Sequence, residues 1–202
     1  LSQRTVLQQD DIERALVRIS HQILEHNRGA DDLVILGIPS RGVQLAARLA
    51  RNIAAIEQAQ GRDFDADAAV GSLDVTMYRD DLRRNPTRAT QPTRIPAGGI
   101  DDRVVVLVDD VLYSGRTIRA ALDALASIGR PRAVRLAVLV DRGHRDLPIR
   151  ADFVGKNLPS ARSERIGVEL RELDGGGVDR VIIIDAEPDA IEPAAATEGE
   201  TR

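Results

Sequence analysis

The stretch Val104–Thr117, VVVLVDDVLYSGRT, holds the residues whose types and spacing best suit chemistry. An apolar run of strand type ends in two adjacent acids, Asp109 and Asp110. A short turn with Tyr113, Ser114 and Gly115 then leads through Arg116 and Thr117 into a helical pattern. At such a junction the first N–H groups of the helix lack partners and the dipole is positive, which suits a phosphate. Gly115 lets the backbone approach the anion closely, and the Ser114 and Thr117 hydroxyls add donors. Two carboxylates beside a phosphate would repel a bare anion. They do accept hydrogen bonds from a vicinal diol, and they suit Mg²⁺. Phosphate, diol and cation together describe 5-phosphoribosyl-1-diphosphate (PRPP).

Competing phosphate motifs do not fit. A Walker loop needs Gly five positions before Gly115, where this chain has Asp110, and no G-x-G-x-x-G follows a strand pattern. The plainer alternative, that the two acids merely cap a helix, leaves unexplained why a fully buried strand should end in them.

The surrounding pattern supplies the scaffold. Residues 10–28 read as an amphipathic helix, with Asp10 or Asp11 to cap it, Ile12, Leu16, Ile19 and Ile23 at helical spacing, and Gly29 to stop it. Leu33–Ile38 reads as a strand buried on both faces, followed by the turn Pro39-Ser40-Arg41-Gly42 and a helix over Val43–Ala59. Further strands are expected over Val70–Tyr78, Arg103–Val108, Ala133–Val140, Arg165–Leu170 and Val178–Ile184, with a helix over Thr117–Ile128. Alternation of this kind predicts an α/β fold with a mainly parallel sheet flanked by helices. Residues 79–102 contain three Pro, two Gly and five Arg, and read as a flexible basic loop. Residues 141–160 are turn-rich and are expected to form a hood segment over a single domain spanning residues 1–185. Residues 186–202 read as an acidic, disordered tail.

Composition narrows the classes. The 202 residues carry a net charge of −4, and five acids against one Arg after Asp185 account for all of it, so the body is formally neutral. Cysteine is absent, which removes disulfides, thiolate catalysis and cysteine-held zinc. The chain opens without a secretory pattern, and no apolar run approaches the roughly 20 residues of a membrane span. A cytoplasmic protein without membrane contact is therefore expected. Aromatics are limited to Phe64, Tyr78, Tyr113 and Phe153, which disfavours an aromatic platform for RNA bases.

The phosphate motif resembles the PRPP signature of type I phosphoribosyltransferases. More narrowly, VDDVLYSGRTIRAALDAL, LAVLVDRGHRDLPIRADFVGKNLP, RALVRISHQILEHNRG and DVTMYRDDL resemble the PyrR family. The resemblance spans about residues 5–185, leaving out Gln58–Ala68 and the tail. It implies the type I fold with a small hood and a flexible basic loop. It also implies control of pyrimidine biosynthetic genes through leader messenger RNA, by attenuation or translational control, joined to the reaction uracil + PRPP → UMP + diphosphate. A dedicated uracil salvage enzyme without RNA control is the alternative reading.

Roles follow from the same resemblance. Asp109 and Asp110 take the ribose hydroxyls, and Tyr113 to Thr117 hold the 5′-phosphate. Ser40 and Arg41 belong to a diphosphate loop in which a cis or strained peptide is expected at Ser40-Arg41. Arg79 begins a flap that closes over PRPP. Phe153 covers the base, while Val154, Lys156 and Asn157 read its edge. Tyr113 stands where many purine enzymes carry an acid, which argues for a pyrimidine. Mg²⁺ arrives with PRPP, helped by Asp109, Asp110 or Asp141. RNA is assigned to Arg14, Arg18, His21 and Arg28 on the first helix, and to Arg142, His144, Arg145 and Arg150, with Lys156, in the later loop. UMP is expected to strengthen RNA binding, and a homodimer or larger homo-oligomer is expected to pair the basic faces.

Overall fold

The computed structural model describes residues 2–79, 92–175 and 177–185. Strand β1 (Gln3–Gln8) leads into helix α1 (Gln9–Asn27), strand β2 (Leu33–Gly37) and helix α2 (Arg41–Ala59). A short helix α3 (Ala66–Ala69) precedes strand β3 (Val70–Ser72), and a 3₁₀ turn covers Thr76–Tyr78. There follow β4 (Val104–Leu112), α4 (Arg116–Ile128), β5 (Ala133–Asp141), β6 (Phe153–Asn157), β7 (Glu164–Glu169) and β8 (Arg180–Asp185).

Five strands in the order β3-β2-β4-β5-β6 form a sheet in which every ladder is parallel. Alternation along β4 builds two cores. Val104, Val106 and Val108 pack with α1 and α2 on one face, and Val105 and Leu107 pack with α4 on the other. From β2 the chain moves outward to β3, whereas from β4 it moves the opposite way to β5 and β6. The order therefore reverses between β2 and β4, and open α/β sheets bind ligands at such a crevice, beyond the carboxyl ends of the strands.

Helix α1 begins where the Asp11 carboxylate accepts the Gln8 N–H at 3.0 Å. It ends where Arg28 turns left-handed and the Gly29 N–H reaches the Leu24 carbonyl at 2.9 Å.

Several expectations are corrected. The strand expected over Val70–Tyr78 stops at Ser72, because Asp74 accepts hydrogen bonds from the Thr76 N–H and hydroxyl and starts the 3₁₀ turn. Residues 92–102 are not a loose loop. Arg94 exchanges backbone hydrogen bonds with Ser72 at 2.8 and 2.9 Å, and Ile100 is buried. Residues 80–91 and 186–202 lie outside the described residues. The segment 141–160 is not purely a hood, since β6 joins the main sheet beside β5. The second, smaller sheet is antiparallel, in the order β1-β8-β7, with β1 not foreseen from the sequence.

A buried charge cluster fastens this small sheet to α2. Arg48 reaches the Asp179 carboxylate at 2.5 and 2.9 Å and the Glu172 carboxylate at 2.6 and 3.0 Å. Asp179 is completely buried. Hydrogen bonds from Arg48 hold the Glu172 carboxyl below its ordinary range. For Asp179 burial is the largest influence and acts upward. The Arg48 guanidinium and the Arg171 N–H together outweigh it and hold the carboxyl low. Both folded-state pKa values are depressed, so this stabilisation is complete near neutrality and drains away as pH falls through the acid range. The melting temperature is expected to fall steadily below about pH 4, where unfolded carboxyls titrate. Asp179→Ala strands part of a buried charge and is expected to lower the unfolding free energy in urea by about 3 kcal/mol.

Candidate active site

Two helices start at the crevice between β2 and β4, and neither start is capped by a side chain. Ser40 is the N-cap residue of α2 and Gly115 that of α4, and neither position carries a side-chain capping hydrogen bond. Their first-turn N–H groups therefore face the space beyond the sheet, where an anion would satisfy them. The first turn of α2 fits against β4 only because Gly42 lacks a side chain: a Cβ there would lie 2.3 Å from the Val108 carbonyl oxygen. The cis peptide falls at Pro39–Ser40, one residue before the expected Ser40-Arg41 bond, since Arg41 is already the first residue of α2.

A pocket of 230 Å³ lies at the start of α4, lined by Asp109, Val111 to Ile118 and Arg79. Strand β4 continues to Leu112, so the two acids lie within it rather than at its end. Successive side chains in a strand face opposite ways. Accordingly Asp109 lines the pocket, 8 % exposed, while Asp110 is absent from its lining and half-buried. Each carboxylate accepts the next residue's N–H at 2.9 Å. Gly115 has φ 91°, a left-handed value, and a Cβ there would press on Ile149 and Leu147 at 3.3 and 3.4 Å. Ser114 accepts the Arg116 N–H through its hydroxyl at 3.4 Å, and Thr117 sits half-buried in the first turn of α4.

Such a pocket joins anion donors, a buried carboxylate and an arginine from another segment. A model of the phosphoribosyl transferase domain family matches residues 2–172. The bifunctional protein PyrR of Leifsonia xyli is 73% identical over 173 residues, covering 85% of this chain and 92% of that protein. The chain belongs to the PyrR family of phosphoribosyltransferases. The PyrR proteins of Streptomyces coelicolor, at 60% identity over 93% of this chain and 92% of the relative, and Mycobacterium tuberculosis, at 54% over 85% and 89%, agree. Among solved structures, a Staphylococcus aureus hypoxanthine phosphoribosyltransferase shares the fold at 20% identity. Its TM-score is 0.61, over 92% of this chain and 93% of that one. The enzyme of Trypanosoma cruzi shares it at 17% identity and TM-score 0.62, over 91% and 97%.

Within this PyrR fold the remaining candidates have separate fates. Arg41 pairs with Asp174 at 2.6 Å, and its buried Nε has no partner. Lys156 and Asn157 pair in register with Val140 and Asp141, so they stand at the same sheet edge as the phosphate loop. Phe153 does not cover that pocket: it is buried in the core beneath α1, its ring meeting His26 edge-on at 5.9 Å. The Val154 carbonyl accepts Arg18 at 3.2 Å, as the Gly155 carbonyl does at 2.5 Å. Asp141 accepts the Arg145 guanidinium at 2.5 Å and the Gly143 N–H at 3.0 Å, which leaves it committed rather than offered to a metal.

The cations expected to meet RNA divide in two. Arg14, His21, Arg28 and Arg150 are exposed, Arg14 being paired with Asp11 at 2.6 Å. Arg18 is drawn onto the backbone of β6. Arg142 is buried, stacked 4.4 Å from the centre of the Tyr113 ring and donating to Ala161 O at 2.8 Å. His144 meets the Ser160 carbonyl at 2.5 Å, and Arg145 turns inward. Sequence reading missed the support of the phosphate loop by Asp146, Leu147 and Ile149. Its one sequence signal was an apolar pair flanking Pro148 in a turn-rich stretch.

Gly115→Ala forces an unfavourable φ and crowds the buttress. It is expected to raise the KM for PRPP about tenfold in steady-state assays while circular dichroism stays native.

Proposed function

We propose that this chain is a UMP-responsive, RNA-binding regulator of pyrimidine biosynthetic genes that also converts uracil and PRPP to UMP and diphosphate. The observation that carries the reading is the pocket in which buried Asp109 faces the uncapped start of α4. In that reading the 5′-phosphate is held by N–H groups from Ser114 to Thr117 and by the Ser114 and Thr117 hydroxyls. Asp109 accepts hydrogen bonds from the ribose diol and opposes the positive charge that develops on the ribose, while Asp110, outside the pocket lining, adds its negative charge from the other side of β4. The C1′–N1 bond to uracil forms as the C1′–O bond to diphosphate breaks, and the N1 proton passes to water. Ser40 and the start of α2 receive the diphosphate, with Arg41 and Arg79 as cationic partners.

Mg²⁺ fits as a cation that comes with PRPP. Among the described residues no group of three or more acids and histidines is spaced to hold a metal, and a hard cation keeps substrate and water oxygens as ligands. The Asp109 and Asp110 oxygens suit it, and it would supply positive charge to the diphosphate. RNA meets His21, Arg28, Arg14 and Arg150, whose exposed cations can neutralise phosphates. UMP in the phosphate pocket strengthens that binding by favouring the RNA-binding form. No helix among the described residues is long and apolar enough to cross a membrane.

One observation favours the salvage reading instead: Arg18, Arg142, His144 and Arg145 are all engaged within the protein. Mobility shift on a pyrimidine-operon leader, with and without UMP, and diphosphate release on the same preparation separate the two. The regulator binds the leader more tightly with UMP, and Arg28→Ala weakens binding about tenfold with a shallower salt dependence. Uracil turnover without any shift at low salt would leave the salvage enzyme.

A further inference from the structure

The segment between β5 and β6 turns most of its polar groups inward, onto the phosphate loop. Arg145 is at the centre. Its Nη1 donates to Tyr113 O at 2.8 Å, Gly143 O at 3.1 Å and Leu112 O at 3.4 Å. Its Nε donates to Ile149 O at 2.9 Å, and its Nη2 pairs with the Asp141 carboxylate at 2.5 Å. One planar guanidinium thus fastens the end of β4, the first residue of the phosphate loop, the end of β5 and the far end of its own segment. A rigid fork of donors suits that task in a way an ammonium does not.

Neighbouring contacts repeat the pattern. Ser114 O accepts the N–H groups of Asp146 and Leu147 at 3.0 and 3.1 Å. Gly115 lies flat against Leu147 and Ile149, and Arg116 pairs with Asp146 at 3.4 Å. The Arg142 guanidinium covers the Tyr113 ring. Every residue from Leu112 to Arg116 therefore rests on the segment 142–149, and the next residue, Arg150, is exposed.

We propose that Arg145 is a positioning residue that makes the phosphate loop and the 142–150 segment one body, so that a phosphate seated at Gly115 fixes how Arg150 is presented to RNA. The inference rests on the functional reading above. A ligand shifts an equilibrium only through contacts that differ between two states, and this clasp is where the anion's contacts and the RNA-facing loop share atoms. Turning the Arg145 guanidinium outward to RNA would draw it from these acceptors and leave Asp141 with the Gly143 N–H but no cation.

The test uses the full-length protein with Arg145→Ala, Arg145→Lys and Asp141→Asn. The last keeps the arginine's charge while removing its ionic anchor. In Arg145→Ala and Asp141→Asn the KM for PRPP rises about tenfold with kcat within about threefold of wild type. The UMP enhancement of leader RNA binding shrinks to under about twofold, while UMP-free affinity and its salt slope stay those of the wild type. Arg145→Lys keeps the charge without the fork and follows the alanine variant. The contrary result is a loss of RNA affinity equal with and without UMP, a salt slope shallower by about one, an unchanged KM and a harmless Asp141→Asn. It would make Arg145 an RNA contact and overturn the proposal, as would wild-type KM and UMP response in all three variants. Should Arg145→Ala fail to fold, the other two carry the same decision. A wild-type protein whose RNA binding ignores UMP sinks the functional reading, and the KM comparison still decides the positioning role.

Discussion

Backbone N–H groups at the start of a helix must find acceptors, and leaving one buried without any costs about 1–3 kcal/mol. At α4 the N-cap is Gly115 in a left-handed conformation and supplies no side-chain acceptor, and the Ser114 hydroxyl reaches only the Arg116 N–H, at 3.4 Å. The sheet around it holds that arrangement in place. Strand β4 lies between β2 and β5, pairing with one through five residues and with the other along nearly its whole length. Its alternating valines and leucines fill both cores. The sheet thus delivers a donor-rich turn, at fixed height, to the point where strand order reverses. A phosphate completes what the fold leaves open.

Charge distribution around this point sorts arginines by what they touch. Arg48 links α2 to the small sheet through Asp179 and Glu172, and Arg41, one end of the same helix, pairs with Asp174 in the same β7–β8 connection. The wall of the crevice at α2 and the small sheet are therefore tied by ions at two places. Arg145 does comparable work on the opposite wall, with carbonyl oxygens as most of its partners. Of the basic side chains assigned to RNA, the exposed Arg14, His21, Arg28, Arg150 and Lys156 are those not drawn onto the protein's own backbone.

What the sequence disclosed follows from how strongly each local pattern is written. Continuous apolar runs marked β2, β4 and β5, and the 3.6-residue period of Ile12, Leu16, Ile19 and Ile23 marked α1. The phosphate turn was legible because acids, hydroxyl and glycine there have few other uses together. Strand β1 was not: it pairs on one side only, and Leu7 is its single buried residue. Strand β6 hid among turn residues because only Phe153 of its five is buried. Arginine fates were the least readable, since a guanidinium bonds carbonyl, carboxylate or phosphate alike and sequence spacing does not say which is near. Arg48 was the exception in principle: it shares a helical face with Leu45 and Leu49, an apolar stripe where a charge demands a buried partner.

Diffraction from crystals grown with PRPP and Mg²⁺ would test the central claim most directly. The account places the 5′-phosphate against the N–H groups from Ser114 to Thr117, with the ribose hydroxyls on the Asp109 side of β4. A phosphate bound at any other helix start or on the basic face of α1, with the Gly115 turn in contact with solvent alone, would contradict it.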